Sequence, residues 1–219
     1  MKTFIKVISR AVGVAAALAL SMSTTQAQNL LSDPSFESGT VVPSGVGGWG
    51  TFNGAAFSTA QALTGTYSML NAGPGGYTVP GSFQFLPSSA GLSYVLTGYG
   101  EATAPLTGAS EGFLQVTFFS GANGAGSNLG TVATSPGNAQ LSNLITSSSP
   151  TGTWLPLNET VTAPAGAASI AVYTLVLDAN ATSVAFDDLV LNQVPEPSSL
   201  ALLGMGLGLP FFFLRRRNS

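Results

Sequence analysis

The chain has 219 residues with only 6 basic and 9 acidic side chains, a formal net charge of −3, and neither cysteine nor histidine. Lacking both, it cannot build a Ser-His-Asp triad, a thiol nucleophile, a disulfide, or a zinc site with nitrogen or sulfur ligands. All six cations sit at the two ends (Lys2, Lys6, Arg10; Arg215, Arg216, Arg217), so residues 28–193 carry eight carboxylates and no Lys or Arg. That stretch has nothing with which to neutralise phosphates, which excludes nucleic acid as a partner.

In chain order, Lys2, Lys6 and Arg10 precede an apolar run at 11–20, and Thr25 and Ala27 are small residues where a signal peptidase reads; residues 1–27 are a predicted secretory signal peptide, helical in its apolar part. Residues 28–193 then have the length of one domain. Gly, Ser, Thr and Pro are dense there, and no stretch holds an apolar 3.6-residue period for three turns, so no helix is expected. Short β-branched and aromatic runs bounded by turn residues predict strands at 67–71, 81–86 (alternating Phe83 and Phe85), 92–99, 113–120, 128–134, 154–161, 168–177 and 184–191. Pro156 places part of the 154–161 strand at a sheet edge. The Gly-rich tracts 45–48 and 121–126 read as turns, lacking the Lys and the strand-to-helix setting of a phosphate loop. Residues 135–153 read as a long surface connection with one short strand at 141–145. Eight or nine strands at irregular spacing predict an all-β jelly-roll sandwich.

The last segment, 194–219, opens Val194-Pro195-Glu196-Pro197, continues through an uncharged apolar run at 200–214 and ends in Arg215, Arg216 and Arg217. The run is expected to be a short membrane helix, below the roughly 20 residues that span a bilayer comfortably. The arginines favour the cytoplasmic side and place the domain outside. This order of parts resembles the PEP-CTERM sorting signal of Gram-negative bacteria. The resemblance implies an exported protein, held at least transiently in the inner membrane, whose tail an exosortase-like protease or transpeptidase reads at Pro-Glu-Pro.

A second resemblance spans the domain. The opening Asn29-Leu30-Leu31 with Pro34, Phe36, Glu37, Gly39 and Trp49, paired with the closing Phe186-Asp187-Asp188 and its apolar flanks, resembles the first and last strands of galactose-binding-like sandwiches, notably carbohydrate-binding modules. It implies a structural calcium ion at Glu37 and one of Asp187 and Asp188, because strand alternation puts those two aspartates on opposite faces unless the backbone bends. From the residues alone, the carboxylates are solvated, bonded to backbone N–H groups, or paired with a bound cation. Sugar binding in such modules stacks pyranose faces on aromatic rings, which makes Trp49, Tyr77, Tyr99 and Trp154 the candidates, with Phe52 and Gln84 as helpers. The expected function is non-catalytic association with a neutral polysaccharide, with no catalytic residue. The alternatives are a structural or adhesive envelope protein that binds no sugar, and a glycoside hydrolase using two carboxylates.

Overall fold

The computed structural model describes residues 28–133, 144–178 and 180–194. The expected signal peptide at 1–27 lies outside these residues, as do Pro195, Glu196 and Pro197, the apolar run at 200–214, and Arg215, Arg216 and Arg217. The described chain forms ten strands: β1 (Gly50–Phe52), β2 (Ala55–Ser58), β3 (Ser68–Ala72), β4 (Gly81–Pro87), β5 (Ser93–Ala102), β6 (Glu111–Phe119), β7 (Asn128–Ala133), β8 (Leu155–Thr162), β9 (Ser169–Leu177) and β10 (Ser183–Val194). They make two five-stranded antiparallel sheets, ordered β1-β4-β9-β6-β7 (sheet A) and β2-β3-β10-β5-β8 (sheet B). One turn of 3-10 helix at Ala122–Gly124 is the only helix among the described residues.

Eight of the ten strands fall where the β-branched and aromatic runs predict them. The other two, β1 and β2, are too short to carry a periodic signal. They flank Asn53 and Gly54, both at positive φ (51° and 99°), and this tight turn carries the chain from sheet A to sheet B. Pro156 lies in β8, an edge strand, where its missing N–H breaks no interior ladder. Of the strand expected at 141–145, residues 141–143 lie outside the described residues, and Ile145 makes an isolated bridge to Gly112.

The opening segment is no ladder strand. Leu30 N–H donates to Leu191 O (2.9 Å), while the Asn29 side chain donates to Leu189 O (2.9 Å) and accepts from the N–H groups of Leu31 and Leu191 (3.1 and 3.0 Å). One amide side chain thus does what a run of rungs would do. Asp33 and Phe36, both at positive φ, then turn the chain into a hook. The hook is fixed by Trp49 Nε1 donating to Asp33 O (2.8 Å), and by Gln84, whose amide accepts from Ser32 N and donates to Ser32 O.

Between the sheets, Leu114, Val116, Phe118, Ile170, Val172 and Val176 of sheet A face Met69, Leu96, Leu157, Val184 and Phe186 of sheet B, with Phe36 and Trp49 closing one side. Each large side chain removed from water there contributes about 1.5–3 kcal/mol.

Candidate functional site

The acids from which the calcium ligands are expected, Glu37 and one of Asp187 and Asp188, all reach one loop, residues 63–67, and meet hydrogen-bond donors there. Asp187 is fully buried. Its Oδ2 accepts from the N–H groups of Leu63 (2.8 Å) and Thr64 (3.2 Å), and its Oδ1 from the N–H of Asp188 (2.7 Å). The backbone does bend: the β5–β10 register shifts between Asp187 and Val190, and Asp188 sits at φ 50°. This bulge turns Asp188 back so that its Oδ1 accepts from Thr64 Oγ1 (2.7 Å). Glu37 reaches the same loop from the hook, accepting from Thr66 N–H (2.9 Å to Oε1, 3.0 Å to Oε2) and Tyr67 N–H (2.8 Å). Gly65, at φ 66°, is required in the middle, because a Cβ there would collide with the Glu37 carboxyl group.

Four N–H groups of a five-residue loop therefore point at two carboxylates. Lone pairs that would face a cation face donors instead, and among the described residues no group of three or more acids converges to hold a metal. As arranged, these residues do not fit the calcium ion that the resemblance implies. Burial, opposed by the N–H bonds from Thr64, Leu63 and Asp188 and reinforced by the neighbouring Asp188 charge, pushes the Asp187 carboxyl up to about 6.

The four aromatic candidates are dispersed. Trp49 offers no platform: it is fully buried, its ring centroid 5.0 Å from that of Phe36 and its N–H spent on Asp33. Tyr77 is 65% exposed, at positive φ, in the loop between β3 and β4. Asp178 holds that loop by accepting from Gly75 N–H (2.5 Å) and Thr78 Oγ1 (3.3 Å), and it also accepts from Thr182 N–H (2.6 Å) and Oγ1 (3.0 Å). Burial works against the Asp178 charge, but these bonds prevail and lower its pKa. Tyr99, 38% exposed, stands in β5 opposite Asp187 and Pro156, and half-buried Trp154 immediately precedes β8. The helper Gln84 faces the interior, with both its amide oxygen and its amide nitrogen bonded to Ser32.

A coherent aromatic surface exists elsewhere, on the face of sheet A turned away from the core. Register places Phe83 beside Tyr173, Phe85 beside Ala171, Gln115 beside Tyr173, and Thr117 beside Ala171, with Phe52 and Phe119 at the two ends. Phe52, Phe83, Phe85, Phe119 and Tyr173 are all half-buried. Their rings run in sequence: 6.1 Å from Phe52 to Phe83, 5.3 Å from Phe83 to Phe85, 6.1 Å from Phe85 to Phe119, and 6.2 Å from Phe83 to Tyr173. The two glycine tracts read as turns prove to frame this row. A Cβ at Gly45 or Gly50 would strike the Phe83 ring, and one at Gly124 would strike Phe85. At the far end Leu144 and Val79 pack with Phe113, Leu175 and Phe52. The period-2 pattern of Phe83 and Phe85 was readable in the sequence. That it shares a face with Tyr173 and Phe119 depended on the pairing of β4 with β9, Phe83 to Tyr173 and Phe85 to Ala171, and of β9 with β6, Ser169 to Phe119, which no local pattern shows.

Polar groups accompany the rings. Gln115 and Thr117 lie on the same face of β6, and so does Glu111, whose Oε2 is buried without a hydrogen-bond partner and whose pKa burial raises. Burial also raises Glu101 and, against a bond from Thr160 N–H, Glu159. These three acids occupy different surfaces. Glu159 alternates with Leu157 and Val161 on the core side of β8, Glu101 pairs with Ala185 on the outer side of sheet B, and Glu111 is on sheet A. They do not form the facing pair that glycoside hydrolysis uses.

The fold and the tail define the class: an exported β-sandwich with the architecture of carbohydrate-binding modules, carrying a sorting signal. The PEP-CTERM protein-sorting motif matches residues 193–217, which marks a secreted, exosortase-processed protein of the cell envelope. Among solved structures, the CBM22-1 xylan-binding domain of Paenibacillus barcinonensis Xyn10C superposes with a TM-score of 0.50 at 18% identity, over 80% of this chain and 99% of that one. A family 16 carbohydrate-binding module gives 0.50 at 17%, over 74% and 99%. The enzymatically active domain of bacteriophage CBA120 tailspike protein 4 gives 0.53 at 12%, over 76% of this chain but only 21% of the tailspike chain. No characterised protein matches the chain in sequence.

Proposed function

We propose that the domain is a non-catalytic, cell-surface binder of neutral polysaccharide and that the glycan lies across the outer face of sheet A. The carrying observation is the row Phe52, Phe83, Phe85, Phe119 and Tyr173, partly exposed rings with centroids 5.3–6.2 Å apart, framed by glycine turns and flanked by Gln115. Their planes lie 36–76° to one another, so the row offers a sugar a mixture of ring faces and edges, and the Gln115 amide beside it supplies a partner for sugar hydroxyls. The ligand is neutral because the domain has no guanidinium or ammonium to pair with a uronate or sulfate, while its own carboxylates repel one. The carbohydrate-binding modules it superposes on, one of them described as xylan-binding, support this substrate class. In the full chain the apolar tail holds the domain to the inner membrane until the sorting enzyme acts at Pro195-Glu196-Pro197.

Affinity gel electrophoresis against a panel of neutral and acidic polysaccharides tests the reading. Wild type is retarded by at least one neutral polymer, and Tyr173→Ala and Phe83→Ala release it while circular dichroism is unchanged. Retention that survives both substitutions, or retention by acidic polymers alone, refutes it.

A further inference from the structure

The sorting motif and the folded domain overlap. The motif match begins at Gln193, yet β10 continues to Val194, with rungs Asn192 to Val95, Gln193 to Tyr94 and Val194 to Ser93. No linker separates the last rung from Pro195, which has no N–H to continue the ladder. We infer that the sorting enzyme binds residues 192–194 as an extended segment, in competition with β5, so that the tail is processed from a sandwich whose last rungs have opened.

A peptide-processing cleft holds its substrate extended by pairing with the substrate's backbone N–H and C=O groups, the groups a β-ladder uses. The backbone groups of Asn192 and Val194, which face β5, cannot serve both at once. The strand is built to release them and no more. Gln193 and Val194 are exposed, so opening them uncovers little apolar surface. Leu191, by contrast, is fully buried opposite Leu96 and its backbone is held on both groups, its C=O accepting from Leu30 N–H and its N–H donating to the Asn29 side chain. Fraying from the end therefore stops at Leu191, and the core stays closed while the segment is presented. Because Leu30 lies against Leu191, the amino-terminal end of the domain is beside the same exit, and the enzyme meets both ends of the domain together.

The inference rests on the sorting reading of the tail, and the test separates the two. The chain has no cysteine, so Ser93→Cys with Val194→Cys allows one disulfide only, across a rung whose Cα spacing a disulfide spans. The full chain is expressed in a host that carries the sorting enzyme, and loss of the tail is followed by pulse-chase and mass measurement. The oxidised pair is expected to be processed on the order of tenfold or more slower than the same protein kept reduced, since the lock removes the frayed state. A second chain duplicates residues 190–194 before Pro195, so that a free copy precedes the motif. It is processed at least as fast as wild type, and the lock no longer slows it. Equal rates for the oxidised and reduced forms, or a lock that still slows the duplicated chain, overturn the inference while leaving the sorting reading intact. A tail never lost from any form defeats the sorting reading and this inference with it.

Discussion

Acidification from pH 7 to pH 5 stabilises this domain, and Asp187 supplies a measurable share of the gain. Its carboxyl, ordinarily near 3.8, is raised to about 6 in the fold. A raised folded pKa means that the native state binds the proton more tightly than the unfolded chain, so the contribution is fully present below pH 3.8 and is lost as pH rises through 6. Between pH 7 and pH 5 the native carboxyl takes up most of one proton while the unfolded one remains largely ionised, which is worth about 1.3 kcal/mol. For a domain of this size that raises Tm by about 2–4 °C. Glu101, Glu111 and Glu159, also raised by burial, add in the same direction. Asp178, with a lowered pKa, acts with the opposite sign and only as pH falls through its depressed value, outside this window. Asp187→Asn isolates the single group. Differential scanning calorimetry at half-unit steps should show the variant's Tm rising less than wild type's by the amount above. The variant is also less stable at pH 5, because its amide nitrogen faces an N–H donor. A wild-type Tm that is flat or falls toward pH 5, or an identical slope in Asp187→Asn, refutes the argument.

Because Glu37, Asp187 and Asp188 are taken by donors in the 63–67 loop, chelator and added calcium are both expected to leave Tm unchanged, whereas Glu37→Gln lowers it; a chelator-sensitive midpoint restored by calcium would reverse this. Gly65→Ala, at positive φ and with its Cβ against Glu37, costs about 1 kcal/mol or more in urea denaturation. Trp49→Ala, in the core, costs about 3–5 kcal/mol, while Tyr77→Ala, on an exposed loop, falls within about 0.5 kcal/mol of wild type by the same measurement. Trypsin leaves residues 28–194 uncut even in denaturant, since they contain no Lys or Arg, and chymotrypsin degrades the unfolded chain.

Most of the strand framework was legible because a strand buried on one face writes itself locally. Thr-Gly or Gly-Ala breaks around runs such as that at 113–119 fix where each strand begins and ends, and β4, β6 and β9 lie within a residue or two of their expected bounds. The ends of the domain were harder, since the Asn29-Leu30-Leu31 run reads as a strand but is held by one amide side chain and a single backbone bond rather than by a ladder. The site was legible only in its parts. Exposure of Tyr77 beside Gly75 and Gly76 follows from a glycine-rich loop, but the grouping of Phe83 with Tyr173 and Phe119 is a product of non-local register. The bend at Asp187 and Asp188 was the stated condition for both to serve one place, and the bulge meets it.

The missing cations connect these findings. A domain with eight carboxylates and no Lys or Arg between residues 28 and 193 must find other positive partners for buried acids, and the partners it has in quantity are backbone N–H groups in turns. Asp33 takes the N–H and Oγ of Ser38; Glu37 takes the N–H groups of residues 66 and 67, Asp178 those of 75 and 182, and Asp187 those of 63, 64 and 188. Each such acid bridges segments distant in sequence or closes a turn, so the carboxylates serve as loop staples in a protein without disulfides. The glutamates on strands have no turn to bond. Their pKa values rise instead, and of these only Glu111 shares a face with the aromatic row. The absence of cations thus decides which acids hold the fold and which remain on strands with raised pKa values.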